Sequence, residues 1–210
     1  MKLARWSSTV WIALLWVACS SLPLRSSDAT EDARRIVEKL GVSPGAVVAE
    51  IGGGGGDVAA AVAERLGDQG KLYVTEISDA QVASLGRRFT NQRAATVEVL
   101  RSAAEKSNLA DGCCDGIYMR DVYHHFTKPE AMVQSLRRNL KPGGRLVVID
   151  FRPRNGGSWK IPDGVPANRG GHGISIALLR EELEAGGFRH LETIETWRDD
   201  LYAVIAEKPR

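Results

Sequence analysis

AVVAEIGGGGGDVAAAVAERLG, residues 46–67, decides the fold. An apolar run with one acid, 46–51, passes into five consecutive glycines, Gly52 to Gly56, then into an alanine-rich helical pattern closed by Gly67. Strand, glycine turn and helix in that order open a parallel β/α unit. Glycines at such a turn let the backbone approach a ligand and leave N–H groups free at a helix N-terminus. Gly52, Gly54 and Gly56 make a GxGxG pattern, with Gly53 and Gly55 in the gaps.

Outward from this turn the same rhythm continues. Strand-like runs at 71–77, 96–100, 115–122 and 145–151 alternate with amphipathic helices. Ser78 with Gln81 and Thr127 with Glu130 fit capping boxes, and Gly67 and Gly143 fit helix stops. Upstream, Ala29, Ala33, Ile36, Val37 and Leu40 recur at helical spacing before Gly41 and Ser43-Pro44-Gly45, so the folded domain starts near Asp28 and runs 28–210. The end breaks the rhythm: a helix over 175–185 precedes strands 190–197 and 201–208, joined only by Arg198 to Asp200. Three residues cannot hold a crossover, so these two strands are antiparallel. The expected sheet is mostly parallel with one reversed strand beside its C-terminal edge.

The composition suits one globular domain: 210 residues, 43% hydrophobic and 26% charged. The chain has 28 Lys plus Arg against 26 Asp plus Glu, and removing Lys2 and Arg5 would bring it to balance. No electrostatic footprint for duplex nucleic acid results. Cys19, Cys113 and Cys114 have no spacing for a disulfide framework or a C-x-x-C zinc site, and no metal is expected. Residues 1–19 read as a leader: a basic start, an apolar run Val10 to Cys19 too short to cross a bilayer, and small residues Ala18 to Ser21. WVACS resembles a lipoprotein box with Cys19 lipidated. Export follows, to the periplasm or to a membrane through the leader or Cys19; an unprocessed leader would instead leave an apolar helix on a cytoplasmic protein.

Glu76 ends the second strand 20 residues beyond Gly56, where an acid accepts hydrogen bonds from ribose hydroxyls in dinucleotide-binding folds. Glu50, two places before the first glycine, disfavours a pyrophosphate. With DVYHHFTKPEAMVQSLRRNLKPGGRLVVIDF (121–151), these features resemble class I S-adenosylmethionine-dependent methyltransferases, among them the small group acting on quinones, sterols and arsenite. The resemblance covers about 28–209. It implies a Rossmann-like α/β fold: a seven-stranded sheet in the order 3-2-1-4-5-7-6, strand seven antiparallel, with helices on both faces. By the same resemblance Gly52, Gly54 and Gly56 pack under the methionine and ribose of S-adenosyl-L-methionine, Glu50 orients its amino-acid moiety and Glu76 holds the ribose. Ser102 and Ala103 border adenine, though Ser102 stands where an aspartate is frequent. Asp121 matches the edge of the methyl-transfer pocket.

Methyl transfer from a sulfonium is an in-line displacement in which the protein aligns the partners and can remove a proton. His124 and His125 follow the fourth strand closely, and Asp150 and Tyr123 are pocket-wall candidates. The aperiodic segment 152–173 leaves the end of strand five and could fold over the crevice, bringing His172, Trp159, Arg154 and Arg169 to a small-molecule acceptor. Two other functions share the pattern. One is a non-catalytic S-adenosylmethionine-binding module on an exported protein; the other is an NAD-dependent oxidoreductase.

Overall fold

Seven strands, β1 Val47–Ile51, β2 Lys71–Glu76, β3 Thr96–Arg101, β4 Cys114–Arg120, β5 Leu140–Phe151, β6 Arg189–Arg198 and β7 Leu201–Glu207, pair in the order β3-β2-β1-β4-β5-β7-β6. The computed structural model describes residues 25–154 and 163–210. The leader reading and Trp159 lie outside them. Parallel pairing joins β3, β2, β1, β4 and β5, and β7 runs antiparallel to both β5 and β6. The resemblance implied this order, and the three-residue link implied the reversed strand.

Side-chain alternation divides the core into two layers. Val48, Tyr118, Val147, Ile149, Ala203 and Ile205 point to one face, against α1 Arg25–Leu40, α2 Asp57–Leu66 and α3 Asp79–Phe89. Their neighbours Ala49, Ile117, Met119, Leu146, Val148 and Val204 point to the other, against α4 Pro129–Asn139 and α5 Ile176–Ala185. Burial on both faces explains why these strands read as continuous apolar runs. Each fully buried Val, Leu or Ile stabilises the packed sheet by about 1.5–3 kcal/mol.

Several local expectations change. Thr127 does not cap α4: the cap residue is Lys128, with Pro129 at the first turn. Ser78 precedes α3 without a side-chain cap bond, and Gln81, the other half of the expected box, donates to the Gly54 carbonyl at 3.3 Å. Gly143 lies inside β5 rather than ending a helix; its N–H donates to the Lys208 carbonyl at 2.8 Å. Gly67 does close α2, donating to the Ala63 carbonyl.

Parallel register brings the C-terminal ends of β1, β2 and β4 level, with Ile51 opposite Thr75 on one side and Met119 on the other. Chain order reverses between β1 and β4. A crevice opens outside strand ends at such a switch point.

Candidate functional site

The β1–α2 glycine loop is tied to β2. Gly52 and Gly53 N–H groups both donate to the Thr75 carbonyl, at 2.9 and 3.1 Å. Glu76 then bridges outward: Oε1 accepts from Gly54 N–H at 2.9 Å and Oε2 from Ile77 N–H at 3.1 Å. Each carboxylate oxygen keeps further acceptor capacity, so the side chain is oriented but still able to receive hydroxyl donors.

The glycines are needed for different reasons. A Cβ on Gly52 would lie 2.5 Å from Val122 Cγ2, at φ +75. At Gly56 it would lie 2.9 Å from Leu85 Cδ2. Gly54, at φ +52, would meet nothing within 4 Å. All three line the crevice, but packing alone excludes side chains at Gly52 and Gly56, whereas Gly54 faces open space.

A cleft of about 440 Å³ runs along the loop, with Glu50, Glu76 and Asp121 on its walls. Glu50 is buried, and its Oε2 has no hydrogen-bond partner among the described residues. Burial pushes its pKa up to about 8, opposed by the Tyr118 phenol beside it and reinforced by Glu76. A cationic ammonium is the natural complement of such a group. Next to this cleft a slot of about 350 Å³, lined mainly by apolar groups, includes Ile77, Ser102, Ala103, Phe126, Met132 and His125. Ile77, part of this lining, is 55% exposed.

One wall was missed by sequence reasoning. Asp32 of α1 is buried and accepts from Trp197 Nε1 at 2.8 Å, while Arg120 and Arg198 pair with its Oδ2 at 2.9 and 2.8 Å. Asp32, Arg120 and Arg198 all line the cleft. The signal was present: Asp32 is a carboxylate on the stripe defined by Ala29, Ala33 and Ile36. Its arginine partners, from β4 and β6, were not legible.

At the β4–β5 end, Asp121 takes φ 62, a left-handed conformation costly for a non-glycine residue, and burial together with the Asp150 charge raises its pKa. The chain then enters a 3₁₀ turn, Tyr123–His125. Asp150 is fully buried and accepts three bonds: His124 N–H at 3.1 Å, Phe151 N–H at 2.8 Å and His124 Nδ1 at 2.8 Å. Because a carboxylate only accepts, Nδ1 carries the proton, and in the neutral ring Nε2 keeps its lone pair.

His124 Nε2 lies 3.2 Å from His172 Nε2. Partial burial, with His124 and His172 nearby, pushes the His125 pKa down to about 4. Burial and His124 also lower that of His172. The sequence placed these four residues at one site, and the structure brings them together.

Other candidates point elsewhere. Tyr123 is fully buried, its hydroxyl donating to Glu182 Oε2 at 2.9 Å, so it belongs to the α5 layer rather than the pocket wall. Arg169 is also buried and pairs with Glu182 Oε1 at 2.7 Å. Arg154 pairs with Asp200 and lies over the Phe151 ring. These arginines fasten the described ends of the 152–173 segment to the domain.

Residues 49–148 match a family model described as a methyltransferase domain. A ubiquinone/menaquinone biosynthesis C-methyltransferase of Cupriavidus taiwanensis is 31% identical over 115 residues, 55% of this chain and 47% of that protein. Its counterpart in Pseudomonas putida is 33% identical over 125 residues, covering 58% and 48%. The chain thus spans about half the length of the curated relatives it matches. Among solved structures, a SAM-dependent methyltransferase from Aquifex aeolicus superposes with a TM-score of 0.69 at 22% identity, over 87% of this chain and 92% of that one. The matched segment makes residues 49–148 similar to a methyltransferase domain, and the sheet order is that of the superposed methyltransferase fold.

Proposed function

We propose that this methyltransferase domain binds S-adenosyl-L-methionine along the glycine loop and transfers its methyl group to a small acceptor lying toward His124. One observation carries the reading: Glu76, bridged to Gly54, and the buried, unpartnered Glu50 Oε2 flank a single cleft. Glu50 suits the ammonium of the methionine portion, Glu76 the ribose hydroxyls, and Ile77, Ser102 and Ala103 the adenine ring. When bound, S-adenosylmethionine supplies an electrophilic methyl group on a cationic sulfur. The chain's own residues align the acceptor in line with it, and His124, its ring set by Asp150, presents Nε2 to accept a proton.

A hydroquinone-type ring is the first acceptor class to test, since the curated relatives are named for quinone biosynthesis. Neither a near-neutral surface nor this narrow crevice favours nucleic acid. Export through the 1–19 leader, with membrane association through it or through lipidated Cys19, is the accompanying proposal. Mass spectrometry of the native protein checks it, and an intact Met1 on soluble cytoplasmic protein would overturn it.

Glu76→Ala should weaken S-adenosylmethionine binding by roughly 1–3 kcal/mol, the scale for losing hydrogen bonds to a charged group, without unfolding the chain. Calorimetry with S-adenosylmethionine, its demethylated product and NAD, followed by mass-spectrometric turnover on a hydroquinone panel, tests the whole reading. Cofactor binding without turnover on any acceptor would favour a binding module; tight NAD binding would favour an oxidoreductase.

A further inference from the structure

His124, His125 and His172 offer ring nitrogens that all lie within 4.8 Å of one another. His124 Nδ1 is engaged by buried Asp150, which leaves Nε2 facing His172. A carboxylate behind an imidazole whose second nitrogen faces a cluster is the outer-sphere arrangement of metal-binding histidines. The spacing fits as well. For a tetrahedral ion with metal–nitrogen bonds of about 2.0–2.1 Å, two ligand nitrogens lie about 3.3–3.4 Å apart; His124 Nε2 and His172 Nε2 are 3.2 Å apart. A single N–H···N bond would account for that distance, but not for a third imidazole tilted against the first, with ring centroids 3.9 Å apart.

The backbone holds all three in place. His124 N–H is bound to Asp150, and His125 N–H donates to the Val122 carbonyl at 2.9 Å. The His172 carbonyl accepts from Arg154 N–H at 2.9 Å, and Ile174 N–H donates to the Phe151 carbonyl at 3.0 Å. His172 is thus clamped antiparallel to the end of β5, whatever the course of the segment before it.

We propose that His124, His125 and His172 form a binding site for a divalent transition metal of the zinc, cobalt, nickel or iron type, with Asp150 as the carboxylate that orients His124. Three imidazoles select these ions over magnesium or calcium. They leave a coordination position toward the crevice, where an acceptor bearing a hydroxyl or thiol donor atom can bind. The metal would occupy the Nε2 lone pair otherwise available to a proton, so in the loaded protein positioning of the acceptor passes from His124 to the ion. That role rests on the methyl-transfer reading; the binding does not.

Chelator-treated protein titrated with cobalt(II) should give the visible spectrum of a tetrahedral ion at one per chain, displaced by one equivalent of zinc, with a rise in Tm. His172→Ala and His125→Ala should each weaken binding by at least about 100-fold, and Asp150→Asn by roughly 10–100-fold although it removes no ligand. His190→Ala, the chain's remaining histidine, should bind as wild type, and so should Glu76→Ala, whatever happens to its cofactor affinity. Thermal melts identify the folded variants; should Asp150→Asn not fold, the exposed His125 decides. No cobalt binding by folded wild-type protein would overturn the proposal. So would binding unchanged in His125→Ala and His172→Ala, or binding abolished only by Cys113→Ser.

Discussion

The glycine-loop end of the crevice is built on sequence neighbours, Glu50 to Asp57, tied to β2 and α3 by bonds from Gly52 and Gly53 to Thr75, from Gly54 to Glu76 and from Gln81 to Gly54. At the histidine end, His124 meets partners 26 and 48 positions away, Asp150 and His172. The first end is shaped by the backbone: N–H groups, carbonyls and positive φ values set the loop, and the Glu50 and Glu76 carboxylates stand on its walls. The second is a side-chain device, and it exists only because β4 and β5 pair in parallel while Arg154 bridges His172. Substitution should therefore act through folding and cofactor binding at one end, and through acceptor chemistry at the other.

The largest expected effect separates two glycines of the same loop. Gly52→Val should lose about 2–4 kcal/mol of stability, because its side chain drives into Val122 at a backbone angle that favours glycine. Gly54→Val should cost only about 1–2 kcal/mol, the left-handed strain alone, yet abolish S-adenosylmethionine binding by filling the cleft. Urea melts beside calorimetry distinguish them; equal stability losses would mean that packing does not separate the two glycines.

His124→Asn should lower the maximal rate by roughly 10²–10⁴-fold while leaving cofactor affinity nearly unchanged. Asparagine can still donate to Asp150, so the turn should stay intact. If cofactor affinity fell in parallel with rate, the two ends would not be separable.

A smaller effect reads the pH dependence of the buried acid. Glu50 titrates at about 8 in the folded chain against 4.5 when unperturbed. Its contribution is therefore fully present below about pH 4.5 and is lost as pH rises toward 8, since the unfolded state ionises first. Glu50→Gln removes that loss. Its advantage over wild type should be near zero at pH 4.5 and roughly 2–4 kcal/mol at pH 8, with weaker cofactor binding throughout. Superimposable melts of the two proteins across this range would show that Glu50 is not held in the buried, high-pKa state.

Local errors in the sequence reading came where a polar side chain had two uses. Gln81 fits a capping box by spacing, yet it donates to Gly54 and so serves the loop instead. Tyr123 sits beside the histidines in sequence, but its hydroxyl reaches Glu182 of α5, since neighbouring residues of a tight turn point different ways. Asp32 was unremarked on a helix that read as amphipathic, and the structure makes it the anchor of Arg120, Arg198 and Trp197 at the cleft.

What the sequence determined by itself was periodicity and local reach. Strand-like runs alternating with amphipathic helices specified parallel β/α units, a three-residue link required an antiparallel pair, and the glycine turn with Glu50 and Glu76 marked the side proposed for the cofactor. These follow from steric rules acting over a few residues. Tertiary structure alone decided which side chains meet. That His172 leaves an aperiodic segment to stand against His124, that Asp150 sets the ring between them, and that two arginines share Asp32 depend on strand register and loop clamping. Distances between residues far apart in the chain are set by the packed sheet, and no local pattern encodes them.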